Sequence, residues 1–327
     1  MKTMKEERAA ILESFLSMDD RELFLVLTGE RGIVAQMYLK EAAEEYKRTV
    51  GGDADLRTMV RVICGKEPAL LLELIKSAAK EAGKIMLSAS EISPETDEKQ
   101  GHANFVTSYD RRIQEYLFKA LHELLPEAHF VGEEEGKDQF LEADRKGYAF
   151  VIDPIDGTSN FIAKYRPSVV SIGLFKDGAP YLGVVYNPYD DVLCHAVKGE
   201  GAFWNDEPMH SSRLPLSRSL VGFGTSPYYE ELSEKTFRYA SRYLSKSIDL
   251  RRSGTAAWDL SLVAKGVTGL FFELKLSLWD FAAGALIAQE AGCKVTDIEG
   301  NPLRWDGPSS VLCASEGAAK DDYILTF

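Results

Sequence analysis

Two aspartates stand three residues apart in Tyr148–Phe161, YAFVIDPIDGTSNF, at the end of an apolar run. The run reads as a strand that ends in Asp153. Pro154 then blocks further pairing, and Asp156-Gly157-Thr158 reads as a turn into a helix. Two carboxylates so spaced at a strand's end can converge on one point, and Gly157 allows close backbone approach. The amides of Gly157 and Thr158 would point outward at the helix start, a natural seat for a phosphate group. Carboxylate oxygens are hard ligands, suited to Mg²⁺ rather than to zinc. Taken alone, the same residues read equally well as an Asx-turn and helix cap. They do not form an EF-hand loop, because its D-x-D-x-D-G pattern and glutamate at position twelve are missing.

Two more acidic stretches have similar surroundings. Phe130-Val131-Gly132-Glu133-Glu134-Glu135 puts carboxylates directly after a short apolar run, although alone it reads as a solvated loop. Trp279-Asp280-Phe281-Ala282-Ala283-Gly284 opens a helix rich in small residues, where Asp280 alone is an N-cap. The five histidines lie outside these stretches and read as structural or surface residues. The four cysteines are far apart, with no C-x-x-C pair and no zinc spacing, and read as reduced, buried thiols. A formal net charge of −13 argues against broad binding of nucleic acid or anionic membrane. It is compatible with an anionic substrate, since carboxylates can hold cations that attract the anion.

The elements that must position these residues follow from periodicity. Ala69–Ala89 and Ser108–Leu125 have the spacing of amphipathic helices. Short β-rich runs follow at 129–131, 148–152, 169–175, 181–186, 192–197 and 201–204, separated by turn signals. Further on, strands near 220–224, 248–252, 269–274, 293–296 and 311–314 alternate with helices at 228–245, 256–264 and 281–291. A meander followed by alternation points to a layered α/β or α+β enzyme. Residues 1–66 differ in texture: they are charge-rich, with helical spacing at 5–18, 32–50 and 55–64. The N-terminus has no apolar h-region, and no apolar run is long enough to span a bilayer, so the chain reads as cytoplasmic.

Taken in order, these stretches resemble the inositol monophosphatase family. The resemblance rests on G-E-E at Gly132–Glu134, D-P-I-D-G-T-x-N-F at Asp153–Phe161, and W-D-x-A-A-G at Trp279–Gly284 with E-A-G at Glu290–Gly292. It also takes in Val106-Thr107-x-x-Asp110 and Ser253-Gly254-Thr255-Ala256-Ala257, and covers roughly residues 69–327. It implies an α+β fold, a layered αβαβα sandwich of the sugar-phosphatase type. Residues 67–327 would form the catalytic domain and 1–66 an added helical segment without a family counterpart. It implies two Mg²⁺, held by Glu133, Asp153, the Ile155 carbonyl, Asp156 and Asp280. A third, weaker site would lie near Lys99, where the family's acidic residue is replaced by Asn104. Glu133 and Thr158 would orient a cation-activated water for direct attack on phosphorus, and Asp110 would accept the Thr158 proton. The Gly157 and Thr158 amides would bind phosphate oxygens.

The resemblance further implies substrate contacts from Gly254, Thr255, Ala256 and Glu273, inhibition by Li⁺, and a homodimer. Ser159 stands where nucleotide 3′-phosphatases of the wider superfamily carry lysine, which favours a small phosphorylated polyol or sugar, such as an inositol monophosphate. Fructose 1,6-bisphosphate and 3′-phosphoadenosine phosphates remain alternatives. Arg166, Arg251 and Arg252 are the candidates to hold a second phosphate. A non-catalytic regulatory binding protein is the competing class, and the complete set of acidic positions argues against it.

Overall fold

The computed structural model describes residues 4–18, 22, 26, 39–40, 44, 60, 68–89, 97–98, 105–135 and 143–321. In chain order the elements begin with helices α1 (Met4–Leu16) and α2 (Pro68–Leu87), strands β1 (Asp97–Glu98) and β2 (Phe105–Val106), and helix α3 (Ser108–His122). Strands β3 (His129–Gly132) and β4 (Tyr148–Asp156) follow, then the short helix α4 (Thr158–Ala163). A meander continues through β5 (Val169–Lys176), β6 (Ala179–Asn187), β7 (Val192–Val197), β8 (Ala202–Trp204) and β9 (Glu207–Met209). The last third holds β10 (Leu220–Phe223), α5 (Ser233–Leu244), β11 (Asp249–Arg251), α6 (Ala256–Lys265), β12 (Leu270–Leu276), α7 (Leu278–Glu290), β13 (Lys294–Thr296) and β14 (Ser309–Ala314).

The chain divides into two compact units, residues 1–78 with 118–128 and residues 79–117 with 129–327. In the first, Leu12 and Phe15 of α1 are buried with Val26, Leu39, Val60 and Leu70 in a small apolar core. The expected helices at 32–50 and 55–64 lie for the most part outside the described residues, as do Phe24, Leu25 and Leu27 of the extension.

The second unit is built on two mixed sheets. One has seven strands in the order β3-β4-β5-β6-β7-β8-β9, the other five in the order β11-β10-β12-β14-β13. In the first, only β3 and β4 run parallel; α4 lies between the antiparallel β4 and β5, and short turns join β5 through β9. In the second, β10 is parallel to β11 and β12, while β14 is antiparallel to β12 and β13. Helices α6 and α7 share one apolar core with both sheets, which explains why α7 is apolar on every side. On the five-stranded sheet, Tyr239 and Tyr243 of α5 pack on Phe272. On the seven-stranded sheet, Gly83 of α2 abuts Tyr186. This is the layered α+β sandwich expected.

Three boundaries depart from the sequence reading. Asp153 is not the last paired residue of its strand: Asp153 pairs with Ser171 and Asp156 with Val169, with a register shift between them. The irregularity accommodates Pro154, which has no amide to donate. Helix α5 starts at Ser233 rather than Tyr228, after a left-handed Ser226 (φ 42°) and a 3-10 turn at Glu230–Leu232. Helix α7 starts at Leu278, three residues before Phe281, because Ser277 caps it. Cys194, Cys293 and Cys313 are buried free thiols, and Cys64 lies outside the described residues. Among the described residues no helix is long and apolar enough to cross a membrane.

Close approach of α7 to the sheet depends on Gly183 of β6. A Cβ there would stand 2.8 Å from the Ala283 carbonyl oxygen and 3.1 Å from its Cα. Gly183→Ala must therefore push α7 off the sheet. We expect a loss of about 1–3 kcal/mol, the range for overpacked cores, read as a melting temperature lower by several degrees in a thermal denaturation followed by circular dichroism.

Candidate active site

The bulge of β4, the end of β3 and the N-termini of α4, α6 and α7 surround one open pocket of about 440 Å³. Its walls include Glu133, Asp153, Ile155, Asp156, Gly157, Thr158, Gly254, Thr255, Ala256, Glu273 and Asp280. Of the site residues read from sequence, only Asp110 stands behind this wall. It is fully buried at the start of α3 and touches the pocket through Thr158, whose hydroxyl donates to Asp110 Oδ1 at 3.0 Å. The other Asp110 oxygen accepts from the Thr107 amide and hydroxyl at 2.8 and 2.5 Å. Thr158 Oγ1 also lies 3.1 Å from the Ile155 carbonyl oxygen, so its single proton has two acceptors.

Four of the carboxylates are tethered by backbone amides. Asp153 accepts the Ile155 amide at 3.0 Å. Asp156 accepts the Ala256 and Ala257 amides at 3.2 and 2.7 Å, and so caps α6 from a strand a hundred residues away. Asp280 accepts the Ser277 amide at 2.7 Å within its own first turn. Ser171, the cross-strand partner of Asp153, donates to the Trp279 carbonyl at 3.3 Å. That bond ties the strand beside Asp153 to the residue before Asp280. Glu273 accepts the Ser226 amide at 2.8 Å.

These tethers do not offset the crowding. Burial, then the charges of Glu133, Asp156 and Asp280, and a side-chain hydrogen bond with Glu133, hold the Asp153 carboxyl well above the usual range. Burial also raises Asp156 well, against the pull of the two α6 amides. Asp280 is raised well by burial and by Asp156 and Glu133. Burial pushes Glu273 up to about 7 and Asp259 up to about 8. Among the described residues, Arg252 is the only basic side chain in the pocket wall. No three acidic, histidine or cysteine side chains among them are gathered into a ready-made cation cage. The acids instead ring the pocket and share protons, as like charges at short range require. A donor set of carboxylates, one backbone carbonyl and one hydroxyl, with a charge that the protein leaves uncompensated, fits hard divalent cations such as Mg²⁺.

Gly157 has φ +91°, and a Cβ there would collide with the Thr255 methyl group, so only glycine brings α4 this close to the α6 loop. Asn160 fastens the same contact, its amide nitrogen donating to the Pro167 and Ser253 carbonyls at 2.8 Å each. Ala256, expected among the substrate contacts, lines the pocket, and its amide donates to Asp156. Of the three arginines considered for a second phosphate, Arg252 lines the pocket, held to Thr225 Oγ1 at 3.1 Å. Arg251 pairs with Asp249, and Arg166 stacks on Tyr189 at 4.7 Å. Lys99 and Asn104, linked to a third cation, lie outside the described residues. Sequence reading overlooked Asn160, Tyr228 and Asp259 in the wall. Asn160 stands inside the D-P-I-D-G-T-x-N-F stretch, and Asp259 lies one turn into α6, so their positions relative to the motifs were available signals.

The raised carboxyls bind protons more tightly in the folded state than in the unfolded chain. Stability is therefore fully present below the unfolded values near 4, and is lost as pH rises through the folded values, about 7 for Glu273 and about 8 for Asp259. In the presence of a chelator, the melting temperature should fall by several degrees from about pH 5 to about pH 8. Excess Mg²⁺ should restore it at the alkaline end and do little at the acid end. A flat chelator profile would contradict the charge balance described above.

The comparisons with known proteins agree with this geometry. Residues 68–326 match the model of the inositol monophosphatase family. The putative Nus factor SuhB of Neisseria meningitidis serogroup B is 35% identical over 225 residues, 68% of this chain and 85% of that protein. An inositol-1-monophosphatase of Mesorhizobium japonicum is 32% identical over 245 residues, 74% of this chain and 91% of that one. Among solved structures, Staphylococcus aureus IMPase-II with inositol monophosphate bound superposes with a TM-score of 0.65 at 29% identity, covering 78% of this chain and 92% of its own. With the pocket, the ordered motifs and nearly the whole of 68–326 in agreement, the chain belongs to the inositol monophosphatase family.

Proposed function

We propose that this protein is a Mg²⁺-dependent phosphomonoesterase acting on a small phosphorylated polyol or sugar, with an inositol monophosphate as the first candidate. The observation that carries the reading is the ring of buried, uncompensated carboxylates beside the Thr158–Asp110 hydrogen bond. Glu133, Asp153, Asp156, Asp280 and the Ile155 carbonyl would hold two Mg²⁺. Bound there, the cations would supply Lewis acidity and neutralise the charge of the phosphate ester.

The chain's own groups do the rest. Asp110, buried and already hydrogen-bonded to Thr107, takes the Thr158 proton into a hydrogen bond and leaves the threonine oxygen free to accept one from water. Glu133 supplies a second acceptor and so fixes the direction of attack on phosphorus. The amides of Gly157 and Thr158, at the start of α4, face the phosphate oxygens. Glu273 has one oxygen engaged by Ser226 and the other available to a substrate hydroxyl. No cysteine or histidine among the described residues lines the pocket, in keeping with direct hydrolysis and no covalent intermediate. The bound inositol monophosphate of the S. aureus relative supports the substrate class. A single pocket arginine favours a monoester over a bisphosphate. The homodimer, the cytoplasmic setting and a third cation near Lys99 complete the proposal on the strength of the family resemblance.

A second reading is favoured by the Neisseria relative named a putative Nus factor: a role through a macromolecular partner, independent of hydrolysis. Phosphate release over inositol 1-phosphate, fructose 1,6-bisphosphate and 3′-phosphoadenosine 5′-phosphate separates the two. We expect turnover with Mg²⁺, greatest on the inositol ester, and none on any substrate if the second reading holds. Asp153→Asn should lower Mg²⁺-dependent release by at least about a hundredfold, the scale of losing a key electrostatic group, with an unchanged circular dichroism spectrum. Near-normal turnover of this variant would remove Asp153 from the cation site.

A further inference from the structure

The segment Gly224–Tyr229 follows β10 and contributes Gly224, Pro227, Tyr228 and Tyr229 to the pocket wall. It is fastened at Ser226. That residue holds a left-handed conformation, φ 42°, and gives its amide to Glu273 at 2.8 Å. Its hydroxyl donates to the Lys275 carbonyl at 3.0 Å and accepts the Lys275 amide at 3.1 Å, a two-way link to β12. The Tyr229 amide closes the turn on the Ser226 carbonyl at 3.0 Å, and the Lys275 ammonium lies 3.8 Å from the centre of the Tyr229 ring. Tyr228 is thus presented between two fixed points. Half of its surface is open to solvent, at 51%, and it lines the same pocket as Glu133, Asp153 and Asp280.

At neutral pH a phenol keeps its proton. Its hydroxyl makes no hydrogen bond to another described residue. A phenol donor with no partner among the described residues, in a wall rich in carboxylates, is a group an incoming oxyanion can use there. We propose that Tyr228 is a substrate-binding residue, its hydroxyl donating a hydrogen bond to the phosphoryl group of the ester held beside Glu133, Asp153 and Asp280. The proposal rests on the phosphatase reading given above. It assigns the 224–229 segment two duties, since Ser226 orients the Glu273 carboxylate on one side while Tyr228 reaches the phosphate on the other.

The test is Tyr228→Phe, which keeps the ring and removes the hydroxyl. Titration calorimetry of inorganic phosphate into the Mg²⁺-loaded protein should give a Kd about tenfold weaker than in the parent chain, the scale of one hydrogen bond to a charged acceptor. KM for inositol 1-phosphate should rise by a similar factor, while the melting temperature and the Mg²⁺ affinity stay as they are. An unchanged phosphate Kd and KM would overturn the proposal. An equal loss of Mg²⁺ affinity would also overturn it, by tracing the effect to the cations. A parent chain that binds no phosphate with Mg²⁺ and hydrolyses no ester would overturn the phosphatase reading itself. A parent chain that does both, beside an unaltered Phe variant, would remove Tyr228 alone.

Discussion

Crowding of buried and half-buried acidic side chains around one pocket is the constraint around which the second unit is arranged. Asp153 and Asp156 come from β4, Glu133 from the turn after β3, Glu273 from β12 and Asp280 from the first turn of α7. Left to themselves, such groups would separate or take up protons. The fold prevents the first by holding four of them with backbone amides, from Ile155, Ala256, Ala257, Ser277 and Ser226. These bonds stabilise the charged forms but do not match the burial, so the carboxyls titrate high. The pocket is thus a place where positive charge, whether proton or cation, lowers the energy of the folded chain.

Holding the ring together requires α7 to lie firmly between the sheets, and its contacts explain how. Small residues on the helix meet glycines on the strands, Ala283 on Gly183 and Ala282 on Gly173, so that backbone approaches backbone. Tight packing of this kind leaves little room for the helix to slide. The Ser171 hydroxyl bond to Trp279 then sets the height of the helix start against the strand pair that carries Asp153. The strand register, the helix packing and the separation of two carboxylates are therefore one structural fact, and Asp280 is positioned by residues far from the pocket.

Sequence made the ring legible because each acidic residue sits in a local context with its own signal: an apolar run before Glu133, proline and glycine around Asp156, small residues after Asp280. The ordered motifs then linked segments that composition alone could not. What stayed hidden depends on partners distant along the chain. The passage of β4 beyond Asp153 is decided by pairing with β5, which outweighs the local preference of Pro154 for a strand end. The late start of α5 follows from Ser226, whose left-handed turn is held by Glu273 and Lys275, 47 and 49 residues away. Helical periodicity at 228–245 carries no trace of that restraint, so Tyr228 reads as the first residue of a helix when it is a loop residue facing the acids.

The frame and the pocket also pull in opposite directions, which bears on what such a chain is for. The apolar core shared by α6, α7 and both sheets carries the stability, and the buried carboxyls subtract from it wherever cations are scarce. A surface that docks another macromolecule needs only the frame. Neutral side chains of similar shape at 153 or 280 would leave such a surface intact and relieve the repulsion. Hydrolysis needs the opposite: the charges must stay and must be close, because a cation held by fewer or more distant oxygens would neither bind well nor polarise an ester. This chain keeps Glu133, Asp153, Asp156 and Asp280 in one pocket wall, with Thr158 hydrogen-bonded to Asp110, and these are the groups the proposed hydrolysis would use.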